Sequence, residues 1–587
     1  MTEPQRPPEE LPSYCKSLFG GVIAADLAFP FPELPTVEAD ALVDYLDDLE
    51  RFLDAKVDGT TFDREASIPE GVLDGLAERG VFGLYVSEEH GGMGFSQSQT
   101  ARVVQRIAAR DAGLAVLLGS HLSIGIKGID MYGNEAQKRR WLPACARGET
   151  LASFALTEPD HGSDAAHIDS RAVRAPDGSG WILDGHKIWI GNAHRAGVLT
   201  AFAQTPVEKD GRTVDRVTAF VLEGHQEGLE IGRLWTDEKL GIRSSTQAEI
   251  FFRGVRVPDD QVLDRPGHGF KVAMNVLNGG RVGLAASAVG GLDTILASAE
   301  EFARTRHQFG RPIAEFDLIG AKLARMRVDR FVTDAMVRLT AALIDRGDVD
   351  YSLESAICKI YASEATWRAA DDALQIAGGR GYMREWPFER YLRDARINRI
   401  FEGTNEVLRT FVALAGIERL AEYLEHVGAA LREPIKDLGV LTEFAFHRVK
   451  DAIGSPSAGV KVAEPLAGPL KALERFTGAL HEGAERVIRA HRDRVVEEQL
   501  QLARLADIAI DLFGLTAGIG RVQSIVEREG ESSTRYEIDL ARQFSREAGA
   551  RIDARLAGLA GNRDERVRRI AAHEPAAGAA GTRARPA

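Results

Sequence analysis

Trp181-Ile182-Leu183-Asp184-Gly185-His186-Lys187-Ile188-Trp189-Ile190-Gly191-Asn192 is the stretch that decides the fold class. It holds two short runs of branched and aromatic residues, divided by Asp-Gly and closed by Gly-Asn. Such residues pack well on a pleated surface, and Gly, Asp and Asn end strands. Similar runs follow at 198–202, 217–221, 250–252 and 255–257, the last stopping at Pro258. The region 151–265 therefore reads as an antiparallel β-barrel or sandwich.

On both sides the period changes from two to between three and four. Upstream, Ala41, Leu42, Tyr45, Leu46, Leu49 and Phe52 recur at helical spacing, and Gly91-Gly92-Met93-Gly94 divides the helices into two parts. Downstream, long helices run from Gly267 to about Leu424. Leu470, Leu473, Phe476 and Leu480, then Leu502, Leu505, Ile508 and Leu512, begin another helical region. The fold class is α+β multidomain, mainly α. The parts are a Pro-rich extension (1–36) that wraps a surface, an N-terminal helical domain (37–150) and the β domain (151–265). A helical bundle (266–430), a connector (431–469), an additional helical domain (470–570) and a disordered tail (571–587) follow.

With 587 residues, the chain is too long for a single small core. The 73 basic and 87 acidic residues give a net charge of −14, which does not favour nucleic acid. Cys15, Cys145 and Cys358 are far apart, without metal-ligand spacing, as in a reducing compartment. No apolar run approaches the roughly 20 residues that span a bilayer. The acids at Glu3, Glu9 and Glu10 argue against a transit peptide. The expectation is a cytoplasmic protein. Residues 434–454, apolar on one side and basic at one end, suit either peripheral membrane contact or docking on the protein itself.

Four segments carry candidate chemistry. The first, Phe154-Ala155-Leu156-Thr157-Glu158-Pro159-Asp160-His161-Gly162-Ser163-Asp164, offers hydroxyls and open amides to a planar or carbonyl-bearing ligand. Trp189 beside Gly191-Asn192 could stack on a ring, although such a tryptophan is more often core. Arg304, Arg306 and Arg311 around His307-Gln308-Phe309-Gly310 suit a diphosphate or a solvated helix end. Gln375-Ile376-Ala377-Gly378-Gly379-Arg380-Gly381-Tyr382 stops a helix and lets a ligand approach the backbone, but no strand precedes it as a dinucleotide fingerprint requires. Last comes Arg396-Ile397-Asn398-Arg399-Ile400-Phe401-Glu402-Gly403-Thr404-Asn405-Glu406. Read alone, Glu402 is most simply an acid ahead of a helix beginning near Val407. Held out of water, the same carboxylate becomes a proton acceptor near neutral pH.

Taken in order, these segments resemble the acyl-CoA dehydrogenase family over about 40–425. Segments 121–129, 271–281 and 497–512 resemble the very-long-chain branch, which carries an extra C-terminal helical domain. The resemblance implies bound FAD and oxidation of an acyl-CoA thioester to the trans-2-enoyl-CoA, with an electron-transferring flavoprotein as acceptor. It implies Glu402 as the base that removes the α-proton, with its own main-chain N–H on the thioester carbonyl. It places Phe154, Leu156, Thr157, Ser163, Trp189, Ile190 and Gly191 along the flavin, and Thr404 and Glu406 at the other end of the cofactor. Ser163, Asn278, Arg281 and Gly403 fall on the substrate. Arg306, Phe309, Gln375, Gly378 and Gly379 reach the adenosine diphosphate of a neighbouring subunit, which implies a homodimer at least.

Family members commonly have Ser or Thr where this chain has Gly191, which removes one possible flavin contact that a main-chain amide could replace. Gly125 and Gly128 lie three apart, either opening a groove for a long acyl chain or packing two helices closely. Two other readings keep the fold. One is an assembly scaffold of the same branch, and the other is an acyl-CoA oxidase that passes electrons to oxygen.

Overall fold

The computed structural model describes residues 11–209, 211–422 and 456–573. The amphipathic segment 434–454 and most of the tail lie outside the described residues.

The helices, numbered here along the chain, are α1 (Tyr14–Phe19), α2 (Thr36–Lys56), α3 (Gly59–Glu65), α4 (Glu70–Glu78), α5 (Gln97–Ala108), α6 (Ala112–Gly119), α7 (Lys127–Tyr132) and α8 (Glu135–Ala146) before the sheet. After it come α9 (Gly269–Thr305), α10 (Asp317–Arg346), α11 (Ser352–Ala377), α12 (Phe388–Arg396) and α13 (Asn405–Glu422). The additional domain supplies α14 (Ala467–His491), α15 (Gln499–Glu529), α16 (Arg535–Ala560) and α17 (Asp564–Ala571). The strands are β1 (Leu151–Ala155), β2 (Arg171–Arg174), β3 (Gly180–Gly191), β4 (Ala196–Lys209), β5 (Arg212–Glu223), β6 (Leu229–Trp235), β7 (Gln247–Pro258) and β8 (Val262–Leu263).

The sheet is richer in antiparallel pairs, but it is not the expected barrel. Its order is β6-β7-β3-β2-β4-β5-β8, with β1 parallel to β4 on a side branch. The end strand β8 pairs with β5 at only two positions, Ala219–Leu263 and Phe220–Val262. So short an edge offers no ladder that could reach β6, and the described strands do not close. The two runs around Trp181 and Lys187 merge into one strand, β3, whose register against β7 shifts twice, after Leu183 and after Lys187. Such bulges re-aim a side chain. At the second, Trp189 adopts a φ of 58°.

His121 ties the first helical domain to the sheet. Its Nδ1 accepts from the Ala152 N–H (2.9 Å), so its Nε2 carries the proton and donates to the Phe82 carbonyl (3.1 Å). Burial lowers this imidazole to about 4, which keeps it neutral. Two helical stretches, Ala112–Tyr132 and Gly269–Thr305, are long and apolar enough to cross a membrane, contrary to the expectation from the sequence. Both are largely buried within the fold and serve as core helices.

The N-terminal extension does more than wrap a surface. Tyr14, Cys15, Leu18 and Phe19 of α1 are fully buried. The Ser13 hydroxyl and the Cys15 N–H donate to Glu354 of α11 (2.9 and 2.8 Å), while Tyr14 meets Thr516 of α15 (2.6 Å). The segment is a wedge between the bundle and the additional domain.

A second joint is electrostatic. Asp334 of α10 is buried and paired with Arg102 of α5 (2.9 Å), Arg521 of α15 (2.8 Å), Arg338 (3.2 Å) and Arg330 (3.6 Å). Burial alone would raise the Asp334 carboxyl, but the four guanidinium groups hold it well below the usual carboxylate range. Its stabilisation is therefore present at neutral pH and is lost only as the pH falls into strong acid. Asp334→Asn leaves buried cations without their counter-ion and should cost about 3–5 kcal/mol. Chemical denaturation at pH 7 measures this, and an unchanged midpoint would contradict it.

Candidate active site

A cavity of about 840 Å³ lies where the sheet, α6, α9 and the segment after α12 meet. Glu402 lines it. The helix that follows is capped by Thr404, whose Oγ1 accepts from the Val407 N–H (3.3 Å). Glu402 is thus not the helix-start acid that its sequence position first suggests. It has a φ of 59°, and Gly403 follows with a φ of 89°. A non-glycine residue in the left-handed region is uncommon and persists where the surroundings force it.

Two cations hold this turn. Arg281 of α9 donates from Nε to the Glu402 carbonyl (3.2 Å), and Lys359 of α11 donates to the Gly403 carbonyl (2.7 Å). Burial pulls Arg281 down to about 10 and Lys359 down to about 7, while the Glu402 charge opposes both shifts. Among the described residues nothing hydrogen-bonds the Glu402 carboxyl, and its Oε2 is buried without a partner. Burial raises its carboxyl to about 7, against the lowering pull of Arg281 and Lys359. Among the described residues nothing accepts the Glu402 N–H. The site therefore offers one unpaired base and one free donor on the same residue.

Gly280 makes room for the base. A Cβ there would lie 2.8 Å from Glu402 Oε2 and 3.1 Å from Ile124 Cγ2.

The opposite wall is the Thr157-Glu158-Pro159 loop. Lys187 of β3 has no exposed surface, and its ammonium donates to the Leu156 carbonyl (3.1 Å) and to Glu158 Oε1 (2.7 Å). Glu158 also accepts from the main-chain N–H groups of Asp169 and Ser170. Burial brings Lys187 down to about 8, while Glu158 stays below its ordinary value because Lys187 and the loop donors outweigh its burial. The Ile188 N–H donates to the Thr157 carbonyl (3.0 Å), which fixes the loop to β3. Trp189 is 58% exposed at this wall, which excludes the core reading.

Of the residues singled out from the sequence, Phe154, Leu156, Thr157, Ser163, Trp189, Ile190, Gly191, Arg281, Glu402, Gly403 and Thr404 all line the one cavity. Asn278 does not line it; its Oδ1 accepts from Arg281 (2.7 Å). Arg306, Gln375, Gly378, Gly379 and Glu406 are exposed away from it, and Phe309 is 94% exposed. Gly125 and Gly128 do not line it either. A Cβ on Gly125 would press on Ala152 (2.9 Å), so Gly125 serves close packing, whereas one on Gly128 would make only an ordinary contact with Leu263 (3.5 Å). The open wall is at Gly119, where a Cβ would meet nothing within 4 Å.

Sequence reasoning missed Lys187, Lys359 and Ser120. Lys359 carried a signal, since it interrupts the apolar run Ile357-Cys358-Lys359-Ile360, where a charge needs a built partner, whereas Lys187 follows Asp184-Gly185-His186 and carried none. Ser120 explains Gly191. A Cβ on Gly191 would lie 2.4 Å from Ser120 Oγ, so the serine hydroxyl already occupies the space that a side chain at 191 would need.

Family models match four successive parts of the chain. They are acyl-CoA dehydrogenase, N-terminal domain (41–149), middle domain (153–255) and C-terminal domain (267–416), then ACAD9/ACADV, C-terminal domain (465–576). The very long-chain specific acyl-CoA dehydrogenase, mitochondrial, of Rattus norvegicus is 40% identical over 563 residues, which span 94% of this chain and 85% of the relative. An acyl-CoA dehydrogenase complexed with FAD from Bacillus anthracis superposes with a TM-score of 0.79 at 26% identity, covering 94% of both chains. A structure described as electron transferring flavoprotein of Acidaminococcus fermentans reaches 0.60 at 32% identity, covering 66% of this chain and 99% of that one.

Gly191→Ser should lower stability by about 1–3 kcal/mol through overpacking against Ser120. Adding Ser120→Ala should recover most of the loss. Thermal unfolding of the two variants tests this, and a Gly191→Ser protein as stable as the parent would contradict it.

Proposed function

Because the chain belongs to the acyl-CoA dehydrogenase family, and is an FAD-dependent oxidoreductase of acyl-CoA β-oxidation, we propose that Glu402 is its catalytic base and that its substrate is a long-chain acyl-CoA. The observation that carries the first part is the unpartnered Glu402 carboxyl, raised to about 7 at the wall of the cavity.

The residues present fit FAD. Trp189 offers an exposed indole at the wall, Thr157 and Ile190 border the same space, and the cavity is mainly apolar apart from a few polar groups. FAD, when bound, supplies the acceptor for the β-hydride. The protein does the rest. The Glu402 N–H donates to the thioester carbonyl, where negative charge develops as the α-proton leaves. The Glu402 carboxylate takes that proton. Desolvation brings the base and the weak carbon acid closer in pKa, and excluded water keeps the contact productive. Arg281 and Lys359 hold the two carbonyls of the turn, so the amide and the carboxylate of one residue serve two neighbouring substrate atoms.

Long-chain use is supported by the open wall at Gly119 and by the further small residues Ala108, Ala115 and Gly291 along the cavity. The exposed Phe309, Arg306, Gln375, Gly378 and Gly379 suit contact with a second copy and its cofactor, hence a homodimer. We take an electron-transferring flavoprotein as acceptor, a cytoplasmic location, and peripheral membrane contact through 434–454 as parts of the same reading.

Anaerobic mixing with palmitoyl-CoA should bleach the flavin of the parent enzyme. Glu402→Gln should keep its flavin yet react about 10²–10⁴-fold more slowly. An active Glu402→Gln enzyme rules the role out. The base works ionised, so kcat/KM should rise with pH along an acid limb centred near 7. Across acyl chains of increasing length the parent should prefer long ones, and Gly119→Leu should move the preference to shorter ones. A parent optimum at butyryl-CoA contradicts the long-chain assignment.

A further inference from the structure

Lys359 does not line the cavity, yet it reaches the base through the main chain. It sits on α11 with no exposed surface. Its ammonium donates to the Gly403 carbonyl (2.7 Å) and to Asn405 Oδ1 (2.8 Å). Asn405 is buried and donates from Nδ2 to Ser363 (3.0 Å) and to Glu364 Oε1 (3.2 Å). Glu364 accepts both ends of the Arg409 guanidinium (2.8 and 3.0 Å). Arg409 then donates from Nε to Asp507 of α15 (2.7 Å), and Asp507 also meets Arg555 of α16 (3.0 Å). The charged members alternate in sign from Lys359 to Arg555, and the path crosses from the catalytic turn into the additional domain.

We propose that Lys359 is a positioning residue for the Glu402–Gly403 turn, and that the additional domain holds it in place through the relay Asn405–Glu364–Arg409–Asp507.

The physical need is clear from the backbone. Two successive left-handed residues take their carbonyls out of the regular helix ladder, so each needs a partner from elsewhere. Arg281 and Lys359 meet one carbonyl each, from α9 and α11. A buried ammonium is costly unless its donors are filled, and Asn405 fills a second. Asn405 can serve only if Ser363 and Glu364 fix its amide, and Glu364 stays ionised because Arg409 outweighs its burial. Asp507 holds the remaining edge of Arg409. Loss of Asp507 frees Arg409, which loosens Glu364, Asn405 and Lys359 in turn. The charged groups that face Lys359 are Glu402, Arg281, Glu406 and Glu364, so removing its charge also leaves Glu402 with Arg281 alone.

The proposal rests on Glu402 being the base, and the test separates the two. Lys359→Met and Asp507→Asn, as full-length FAD-loaded enzymes, are compared with the parent in single-turnover anaerobic flavin reduction by palmitoyl-CoA, in KM and in pH profile. Lys359→Met should reduce its flavin about 10–100-fold more slowly through a displaced base. Its KM should stay within about 3-fold, as fits a residue that touches neither substrate nor cofactor. Its acid limb should move to higher pH. Asp507→Asn, remote from the cavity and conservative in shape, should slow reduction about 3–10-fold with an unchanged KM. Lys359→Arg, which retains the cation, should recover part of the Lys359→Met loss. A Lys359→Met enzyme with the parent's rate and limb overturns the positioning role, and a parental rate in Asp507→Asn overturns the part played by the additional domain. Should Lys359→Met not fold, Lys359→Arg takes its place: a slowed reduction with an unchanged KM supports the positioning role, and the parent's rate and limb overturn it, while Asp507→Asn still decides the part played by the additional domain. An active Glu402→Gln enzyme would instead overturn the base assignment.

Discussion

The structure turns on one constraint: a carboxylate must be kept out of water without being given a direct partner. Burial pushes the Glu402 carboxyl up to about 7, and the nearby cations of Arg281 and Lys359 pull against that push without bonding to its oxygens. A direct ion pair would have quenched the base, and full apolar burial would have protonated it at neutral pH. The compromise comes from geometry. Both cations are spent on the main-chain carbonyls of Glu402 and Gly403, so they fix the turn and temper the carboxyl from a distance.

The same device appears on the facing wall. Lys187 lies under the Thr157-Glu158-Pro159 loop as Lys359 lies under the Glu402–Gly403 turn, and each donates to a main-chain carbonyl and to one side-chain oxygen. Irregular backbone at the wall of a cavity leaves carbonyls without ladder partners, and a buried ammonium satisfies them where water is to be excluded. Around this site the helical domains are joined by stitches of similar chemistry. Asp334 gathers arginines from α5, α10 and α15, and α1 wedges its aromatic residues between α11 and the additional domain.

Much of the fold was legible because its periodicities are local. The α, β, α, α order, the helix-stop glycines and the cavity residues of the Phe154–Ser163 and Trp189–Gly191 segments all sit within short windows. What the windows could not give was pairing. Runs within β3, β4, β5 and β7 were legible, but β1, β2, β6 and β8 were not, and β1 beside β4 and the two-residue β8 depend on partners some 45 residues away. Gly125 and Gly128 left an open groove and close packing equally possible, because a missing side chain has the same signature whether space or a neighbouring backbone takes its place. Only the position of Ala152 decides for packing at Gly125. Gly191 looked like a loss until Ser120, 71 positions earlier, was found in the same space. The role of Lys359 was hidden for the reverse reason: its place in an apolar run signals a partner, but the partners at 403 and 405 meet it only through the crossing of α11 and the turn before α13.

The account's central claim concerns the ionisation of one group, and that can be read directly. Infrared difference titration of the substrate-free, FAD-loaded enzyme, with Glu402→Gln as the reference, isolates the carboxyl band of Glu402. The account predicts a protonated-carboxyl signal that disappears with a midpoint near 7. A signal already lost near the ordinary glutamate value of about 4.3 would mean that Glu402 is solvated or paired, and would contradict the account.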